Sequence, residues 1–335
     1  MPEPRSPLSS VSSSSPRPRR FLFILLDRFT MLSFASALEC LRIANRMAGE
    51  TVYSWTLQSE DGEPVTCSGG VSFGVDGPLG EVGREDFVML CGGVAIQETA
   101  TRKLLAWLRR ESRKGAALGG LCTAAHVLAR AGLLDGKRAT IHWENHDSFA
   151  EEFDEVTLTK SVFVVDGNRM TTAGGTSSID LMLKLIADHL GEDIANAVAD
   201  QLIYSSIRTD QDTQRLSVPT RIGVRHPKLS QVIQMMEANI EEPISPAILA
   251  KEVGMSTRQL ERLFRRYLNR SPKRYYMELR LQKARNLLMQ TDMSVINVAL
   301  SCGFASPSHF SKCYRAQYQT TPYRERGSQG TRLSI

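Results

Sequence analysis

The sequence predicts an α/β three-layer sandwich with a mostly parallel sheet, followed by an all-α domain with two helix-turn-helix motifs. From residue 20 to about residue 205, short apolar segments of strand type alternate with longer segments of helical period. That alternation is typical of a parallel sheet covered by helices on both faces. From residue 226 onward the apolar period is helical throughout, and one arrangement of helix caps, glycine and basic residues occurs twice.

Length and charge agree with two domains of different function. A chain of 335 residues can form two domains, each with its own core. Residues 225–326 carry 17 Lys and Arg against 8 Asp and Glu, whereas the remainder carries 24 against 28. Basic charge confined to one end predicts a polyanionic partner there and a neutral one elsewhere. A basic face exposed only to solvent would give the same counts. The motifs must therefore distinguish a surface that binds a polyanion from a solvated one.

Composition argues against several protein classes. The sequence has no apolar run near the roughly 18 residues of a membrane helix. The six cysteines show neither C-x-x-C nor zinc-finger spacing, which predicts no metal site and reduced thiols in a cytoplasmic protein. Residues 1–19 are rich in Ser, Pro and Arg and lack the apolar segment of a secretion signal, so we expect a disordered tail.

The α/β part is predicted from continuous or alternating apolar runs for the strands and from helical spacing for the helices. We expect strands at residues 21–26, 55–59, 87–91, 116–121 and 162–165. We expect helices at residues 31–47, 99–113, 123–131 and 179–190, and a further helix through about residue 204. Residues 206–225 are polar, contain Pro219 and have no apolar period, so they are predicted to form a linker.

The first helix-turn-helix copy spans residues 243–264. Ser245 is suited to cap its first helix, with Pro246 in the first turn, where a missing N–H costs nothing. Gly254 supplies the left-handed residue that ends this helix. Ser256 and Gln259 form the capping box of the second helix.

The second helix of this copy is predicted to read the major groove. Its apolar residues lie on one side, which leaves five polar residues outward: Arg258, Gln259, Glu261, Arg262 and Arg265. Arginine can bind guanine through two hydrogen bonds, and glutamine can do the same with adenine. The start of the helix would therefore enter the groove.

The second copy spans residues 294–315 and repeats the plan with one extra residue in the turn after Gly303. Ser306 and Pro307 again form cap and first turn. The residues predicted to point outward are Ser308, His309, Ser311, Lys312 and Arg315. His309 belongs to no Cys/His grouping with zinc-finger spacing, so we interpret it as a surface or DNA-facing residue.

A long helix from Ser271-Pro272 to about Gln290 separates the two copies. Its 19 residues rise about 28 Å. Consecutive major-groove faces on one side of B-DNA lie about 34 Å apart. A rigid spacer of this length can hold two recognition helices in consecutive grooves of slightly bent DNA.

Residues 226–326 resemble the DNA-binding domain of the AraC/XylS family of transcriptional regulators. The resemblance includes Gly303-Phe304 and the late Thr321-Pro322, which is similar to the family's terminal element G-x-[ST]-P-x-x-[YF]-R. Gln319 replaces the glycine of that element and Glu325 replaces the aromatic residue. The resemblance implies a domain that binds an asymmetric promoter site as one unit, with RNA polymerase as a further partner.

Residues 116–125 predict a second functional feature, in the α/β part. A buried strand runs into a sharp turn at Cys122, and a helix follows. This shape raises a side chain above the sheet and directs backbone N–H groups towards it. Ligands of α/β sheets bind beyond the carboxyl ends of the strands. Cys122 is therefore either a nucleophile or part of a pocket floor.

With the segments 86–93, 131–136, 140–143 and 171–175, this elbow resembles the PfpI-like, class I glutamine-amidotransferase-like fold. Over residues 20–326 the chain is similar to the GlxA-type regulators, which join that fold to an AraC-type domain. The resemblance implies a homodimeric sensor of arginine, carnitine, glycine betaine or a similar nitrogenous metabolite. It also implies an activator of a catabolic operon that needs no cofactor.

The resemblance does not extend to a catalytic centre. Hydrolytic members of the wider superfamily place His directly after the nucleophile, where this chain has Thr123, and an acid after the first strand, where Ser33 aligns. A cysteine without a base or carboxylate partner lacks the usual means of lowering its pKa. His126 and His142 could approach Cys122, but the sequence does not place them there. We therefore predict a ligand cradle and not an enzyme.

Two further features suggest how the ligand cradle could bind a metabolite. Trp143 could hold a quaternary ammonium or guanidinium group by a cation–π contact, or could pack in the core. Gly174-Gly175-Thr176 could present N–H groups to a carboxylate, or could form a plain tight turn. The candidate ligand-binding residues are Ser33, Cys122, Thr123, His142, Trp143, Gly175 and Thr176.

Two other interpretations remain open from the sequence. The chain could be a cysteine amidohydrolase or deglycase with an attached DNA-binding domain. It could also bind DNA constitutively and use its front half only as a scaffold, although a scaffold would not need the glycine-rich elbow.

Overall fold

The computed structural model describes residues 17–214 and 226–327. In the first range the strands are β1 (Arg19–Leu25), β2 (Tyr53–Ser59), β3 (Val65–Thr66), β4 (Ser72–Phe73), β5 (Gly77–Pro78), β6 (Phe87–Cys91), β7 (Ala117–Leu121), β8 (Arg138–Ala139), β9 (Thr157–Leu158), β10 (Phe163–Asp166) and β11 (Arg169–Thr172). The helices are α1 (Met31–Ala48), α2 (Ile96–Thr99), α3 (Arg102–Arg113), α4 (Ala125–Arg130), α5 (His146–Glu152), α6 (Ser177–Leu190) and α7 (Glu192–Gln201).

The central sheet has seven strands in the order β10-β11-β7-β6-β1-β2-β5. All neighbours are parallel except the hairpin β10–β11. Alternate residues of β1 enter different cores: Phe21 and Phe23 pack under α1, α6 and α7, whereas Leu22 and Ile24 pack under α3 and α4. The structure thus confirms the predicted three-layer sandwich with a mostly parallel sheet.

The amino-terminal prediction needs one correction. Arg19, assigned to a disordered tail, is the first residue of β1, and its N–H donates to the carbonyl of Val52 at 3.0 Å. Arg19 lies in the sheet register opposite Tyr53 of β2, and the next residue, Arg20, forms an ion pair with Asp86. The tail predicted for residues 1–16 lies outside the described residues.

The helical half contains α8 (Pro227–Ala238), α9 (Pro246–Glu252), α10 (Thr257–Leu268), α11 (Pro272–Gln290), α12 (Val295–Ser301), α13 (Pro307–Tyr318) and α14 (Pro322–Gly327). One core joins α8, α9 and α10, and a second joins α12 and α13. Helix α11 belongs to both, because Tyr276 packs in the first core while Leu281, Leu287 and Leu288 pack in the second. The long helix is therefore a spacer built into both helix-turn-helix units.

The predicted caps of the helix-turn-helix copies are present. Ser245 Oγ accepts from the N–H of Ile248 at 3.4 Å. Ser256 and Gln259 form a reciprocal capping box, in which the Ser256 N–H donates to Gln259 Oε1 at 2.8 Å. Such caps satisfy backbone donors that the first turn leaves free, and they begin α9 and α10 at defined residues.

Residues after α7 pack against the sheet domain, which comprises the central sheet and helices α1 to α7 (residues 19–201). Asp180, buried at the start of α6, accepts hydrogen bonds from the Arg208 backbone N–H at 2.8 Å and from Arg208 Nη2 at 2.7 Å. Gln214 Nε2 donates to the carbonyl of Ile141 at 2.8 Å. The part of the predicted linker from 208 to 214 is therefore docked, and residues 215–225 lie outside the described residues.

Among the residues that the structure describes, no helix has both the length and the apolar character to cross a bilayer.

Candidate functional site

The sharp turn predicted at Cys122 is present at the carboxyl end of β7. Cys122 has φ +62°, in the left-handed region that a side chain rarely occupies. The turn is closely packed from below, because a Cβ on Gly120 would lie 2.8 Å from the backbone N of Ala125. Strand β7 and helix α4 therefore meet at a short distance, and Cys122 is held above the end of the sheet.

The Cys122 thiol is buried, and its hydrogen-bond neighbours are hydroxyl groups. Its Sγ lies 3.6 Å from Thr30 Oγ1. Burial raises the pKa of this thiol above its ordinary value, and hydrogen bonds from Thr30 and Ser33 oppose that rise without reversing it. A thiol with a raised pKa stays protonated at neutral pH and is a poor nucleophile.

The histidines that could have acted on Cys122 have other surroundings. The buried His126 directs Nε2 to Glu152 Oε2 at 3.1 Å, and this contact lowers the pKa of the Glu152 carboxyl. His142 lies in the wall of the cavity above the elbow, and burial lowers the pKa of its imidazole. Within residues 17–214 and 226–327, neither ring is hydrogen-bonded to the Cys122 thiol. The site therefore lacks the thiolate–imidazole pair of a cysteine hydrolase.

A cavity of about 930 Å³ opens above the elbow. Its lining from the sheet domain includes Thr30, Gly93, Cys122, Thr123, His142 and Gly175. Its lining from the helical half includes Arg285, Met289, Gln290, Asp292, Met293 and Glu325. The cavity is large enough for a metabolite, since small-molecule sites are typically about 300–1,000 Å³.

Acidic side chains outnumber basic ones in the cavity lining. Six carboxylates line it: Glu98, Glu144, Glu151, Glu152, Asp292 and Glu325. The guanidinium groups in the described lining are those of Arg130 and Arg285. Glu98 pairs with Arg28, and Glu325 pairs with Arg285 at 2.9 Å. Glu151 and Asp292 have no ion-pair partner within the described part of the chain, so the cavity carries net negative charge.

Four of the seven predicted ligand-binding residues line this cavity: Cys122, Thr123, His142 and Gly175. Ser33 lies behind the lining and accepts from the N–H of Gly175 at 2.8 Å. Thr176 Oγ1 accepts from Arg208 Nη2 at 2.9 Å, and Trp143 is 39% exposed with its ring 5.7 Å from that of His142. The structure does not place these three side chains in the lining.

The acidic residues of the lining were missed by sequence reasoning. Glu144 and Glu151 lie on a short turn and on α5, and Asp292 follows the distant helix α11. No local motif distinguishes them from ordinary surface carboxylates. Only the tertiary structure brings them together above Cys122.

Thr123 and Gly93 complete the floor of the cavity. Thr123 Oγ1 donates to the carbonyl of Gly93 at 2.7 Å. Gly93 has no space for a side chain, since its Cβ would lie 2.1 Å from the carbonyl oxygen of Arg28. The residue that stands where hydrolases have histidine therefore has a structural partner in the backbone.

No group of three or more His, Cys, Asp or Glu side chains is placed to hold a metal ion within residues 17–214 and 226–327.

The predicted DNA-reading residues lie at the exposed faces of α10 and α13. All five on α10 are exposed: Arg258, Gln259, Glu261, Arg262 and Arg265. On α13, Ser308, His309, Lys312 and Arg315 are exposed, and Ser311 is half-buried. A shallow groove of about 530 Å³ is lined by Ser311, Lys312, Arg315, Ala316, Gln319 and Thr321. Which of these residues contact DNA stays a prediction.

Two family models match the chain. The DJ-1/PfpI family matches residues 19–188, and a helix-turn-helix domain matches residues 249–328. The first match contains the elbow, and the second contains the second helix-turn-helix copy and the first copy from residue 249 onward.

Curated relatives match nearly the whole chain. The HTH-type transcriptional regulator GbdR of Pseudomonas aeruginosa is 44% identical over 319 residues, which are 95% of this chain and 87% of that protein. The HTH-type transcriptional regulator GlxA of Rhizobium meliloti is 37% identical over 93% of this chain and 97% of that protein.

A solved structure supports the fold of the sheet domain. The crystal structure of an AraC family transcriptional regulator from Pseudomonas putida is 31% identical, with a TM-score of 0.51. It covers 55% of this chain and all of that chain.

Proposed function

This chain belongs to the family of transcriptional regulators that join a DJ-1/PfpI domain to an AraC-type helix-turn-helix domain, and from that premise we propose that it binds promoter DNA under the control of a nitrogenous metabolite. The chain is a regulator and not an enzyme, in agreement with its close relatives, which are named as transcriptional regulators. The metabolite binds in the cavity above Cys122, and the helical half binds DNA.

The acidic cavity carries this proposal. A protonated or quaternary nitrogen is attracted by Glu144, Glu151 and Asp292. His142 does not oppose it, because burial lowers the pKa of the imidazole and favours the neutral form. An amine, a guanidinium compound or a zwitterion such as a betaine fits the charge of the lining, whereas a simple anion does not.

The proposed DNA contacts are the exposed residues at the start of α10 and α13. Helix α11 is part of both cores, so the two recognition helices keep their separation. Two helices held about one turn of B-DNA apart can enter consecutive major grooves from one side. Arg258, Gln259 and Arg262 are the candidates for base contacts, and Lys312 and Arg315 are the candidates for phosphate contacts.

Assembly and location extend the proposal. We propose a homodimer formed through the sheet domain, acting in the cytoplasm as an activator of a catabolic operon together with RNA polymerase. The six cysteines are free thiols, and five of them are buried, which is compatible with a reducing compartment.

Two measurements test the proposal on the full chain. The first is a footprint on promoter fragments near the gene, and the second is a thermal-shift panel of basic amino acids, betaines and choline. We expect a defined footprint whose affinity changes with a compound that also raises the melting temperature. An identical footprint and reporter output across a broad metabolite panel would contradict effector control. No preference for any promoter over random duplex would contradict the DNA-reading role.

A further inference from the structure

The cavity above Cys122 has one wall that comes from the DNA-binding half. The end of α11 supplies Met289 and Gln290, and the following turn supplies Thr291, Asp292 and Met293. Helix α12 begins directly after this turn, with Ser294 as its cap. The same five residues therefore line the proposed effector site and lead into the second helix-turn-helix.

Polar contacts dock the two halves beside the cavity. Gln97 Nε2 donates to the carbonyl of Gln290 at 3.0 Å, and the side-chain Oε1 of Gln290 lies 2.8 Å from the buried Ser148 Oγ. Helix α11 packs on α5 at this point. We call the contacts of Gln290 with Gln97 and Ser148 the Gln290 latch.

The Gln290 latch is weak in physical terms. In the described residues, each of the four apolar core clusters lies within one half, and none spans both. An internal hydrogen bond contributes about 0.5–1.5 kcal/mol net. Small polar interfaces between domains permit relative motion. The docked and undocked arrangements therefore differ by a few hydrogen bonds and by the packing of α11 on α5, and a ligand can shift the balance between them.

Charge makes docking dependent on what fills the cavity. Glu144 and Glu151 of the sheet domain and Asp292 of the helical half line the same cavity, in which six carboxylates face the guanidinium groups of Arg130 and Arg285 among the described lining residues. Carboxylates that share a small cavity repel each other. A ligand with a positive nitrogen removes that repulsion when it touches both walls. The ligand therefore binds the docked arrangement more tightly than the undocked one. A ligand can shift the population between two arrangements only through such a difference in affinity.

We propose that the effector binds between the two halves, so that Met289 and Asp292 are part of its site and docking of the DNA-binding half is linked to effector binding. The inference rests on the proposed effector role of the cavity. Because residues 291–293 precede α12, binding changes the position of the second helix-turn-helix relative to the sheet domain. By linkage, DNA and effector must alter each other's affinity by the same factor.

The test uses the full chain, with choline, glycine betaine, L-carnitine and L-arginine as probes, each applied separately. Hydrogen–deuterium exchange is followed in two segments, residues 146–152 and residues 287–295. Binding is measured by calorimetry for the native chain, for the double variant Met289→Ala/Asp292→Asn, and for Gln290→Ala. Gln282→Ala is the matched control, because Gln282 is an exposed glutamine on the same helix outside the cavity lining.

We expect at least one probe to protect both segments from exchange. The double variant should bind that probe at least about fivefold more weakly, the lower end of the range for coupled sites. Gln290→Ala should raise exchange in residues 146–152 even without a probe. Gln282→Ala should neither weaken probe binding nor raise exchange in that segment.

A probe that protects only the elbow, residues 116–125, and binds the double variant with unchanged affinity would overturn the inference while leaving the effector role intact. Binding by none of the four probes, together with rapid exchange in both segments, would overturn the inference as well. Failure of the effector role itself is recognised separately, by a DNA affinity that no metabolite changes.

Discussion

Arg285 on α11 and Glu325 on α14 form an ion pair at 2.9 Å that attaches the last described helix to the spacer helix. Glu325 is 3% exposed, although the family element that this segment resembles has an aromatic residue there. Arg285 also lies over the ring of Tyr318, with its Cζ 4.7 Å from the ring centroid. A buried carboxylate and its guanidinium partner therefore take the place of aromatic packing.

Removing the two members of this pair should have unequal effects. Arg285→Ala removes a guanidinium that pairs with an almost wholly buried carboxylate, and we expect a loss of about 3–5 kcal/mol in the free energy of unfolding. Glu325→Ala leaves a guanidinium that can reach solvent, and we expect about 2 kcal/mol. Urea unfolding followed by circular dichroism measures both. Equal losses, or a double variant less stable than Arg285→Ala alone, would contradict the assignment.

The second prediction concerns the residue that ends α13. Gln319 has φ +57°, a left-handed conformation that favours glycine, and the resembling family element has glycine there. Gln319→Gly should therefore stabilise the chain by about 0.5–1 kcal/mol. Asn269, with φ +52° at the end of α10, is the matched control, because asparagine tolerates this region better and Asn269→Gly should gain less. Thermal unfolding distinguishes them, and a destabilised Gln319→Gly would refute the argument.

The third prediction concerns the elbow. A Cβ on Gly174 would lie 2.7 Å from Cys122 Sγ, and the residue has φ +85°. Gly174→Ala should therefore displace Cys122, lower the unfolding free energy by at least about 2 kcal/mol and weaken effector binding. Gly175 also has positive φ but has no atom near its Cβ position, so Gly175→Ala should cost only about 1 kcal/mol of backbone strain. Similar losses for the two variants would show that the contact with Cys122 is unimportant.

The fourth prediction is a pH dependence of stability. Burial lowers the pKa of His142, His146 and His189 below the ordinary value for histidine of about 6.5. The unfolded chain therefore binds more protons than the folded chain as pH falls below about 6.5, and the free energy of unfolding must decrease there. His142→Gln and His146→Gln should each flatten the slope between about pH 5 and pH 7. Glu152→Gln should lower the free energy of unfolding at neutral pH and lose that effect below about pH 4.5, because a carboxyl with a lowered pKa contributes stability only while it is ionised. A slope unchanged in both histidine variants would rule out this origin.

The fifth prediction separates base contacts from phosphate contacts on the DNA-reading surface. If Arg262 binds a base, Arg262→Ala should cost about 1–3 kcal/mol and relax specificity at one base pair. If Lys312 and Arg315 bind phosphates, their alanine variants should weaken all sequences alike and reduce the salt dependence of binding. Competition binding on a promoter fragment and on random duplex, at several salt concentrations, measures both properties. Equal behaviour of all three variants would contradict this division.

Most of the fold was predictable because its signals are local. The apolar run that became β1, the caps Ser245 and Ser256, and the spacer helix α11 each depend on a few neighbouring residues. The hairpin of β10 and β11 was only half predicted, since Arg169–Thr172 is polar in sequence yet buried in the sheet. Its burial depends on hydrogen bonds to other segments, such as that from Arg169 Nε to the carbonyl of Leu133 at 3.0 Å, which no local pattern reveals.

The candidate site divides in the same way. The elbow at Cys122 was predictable, because a small-residue strand followed by a turn and a helix is a local pattern. The acidic lining was not, because Glu144, Glu151 and Asp292 are ordinary surface residues until the two halves are docked. The sequence alone thus determined the main strands and helices, the capped helix ends and the strand–turn–helix elbow, since hydrophobic period and capping act over a few residues. Only the tertiary structure decided that the elbow cavity has a wall from the DNA-binding half, because that wall depends on polar contacts between residues nearly two hundred positions apart, such as Gln97 and Gln290.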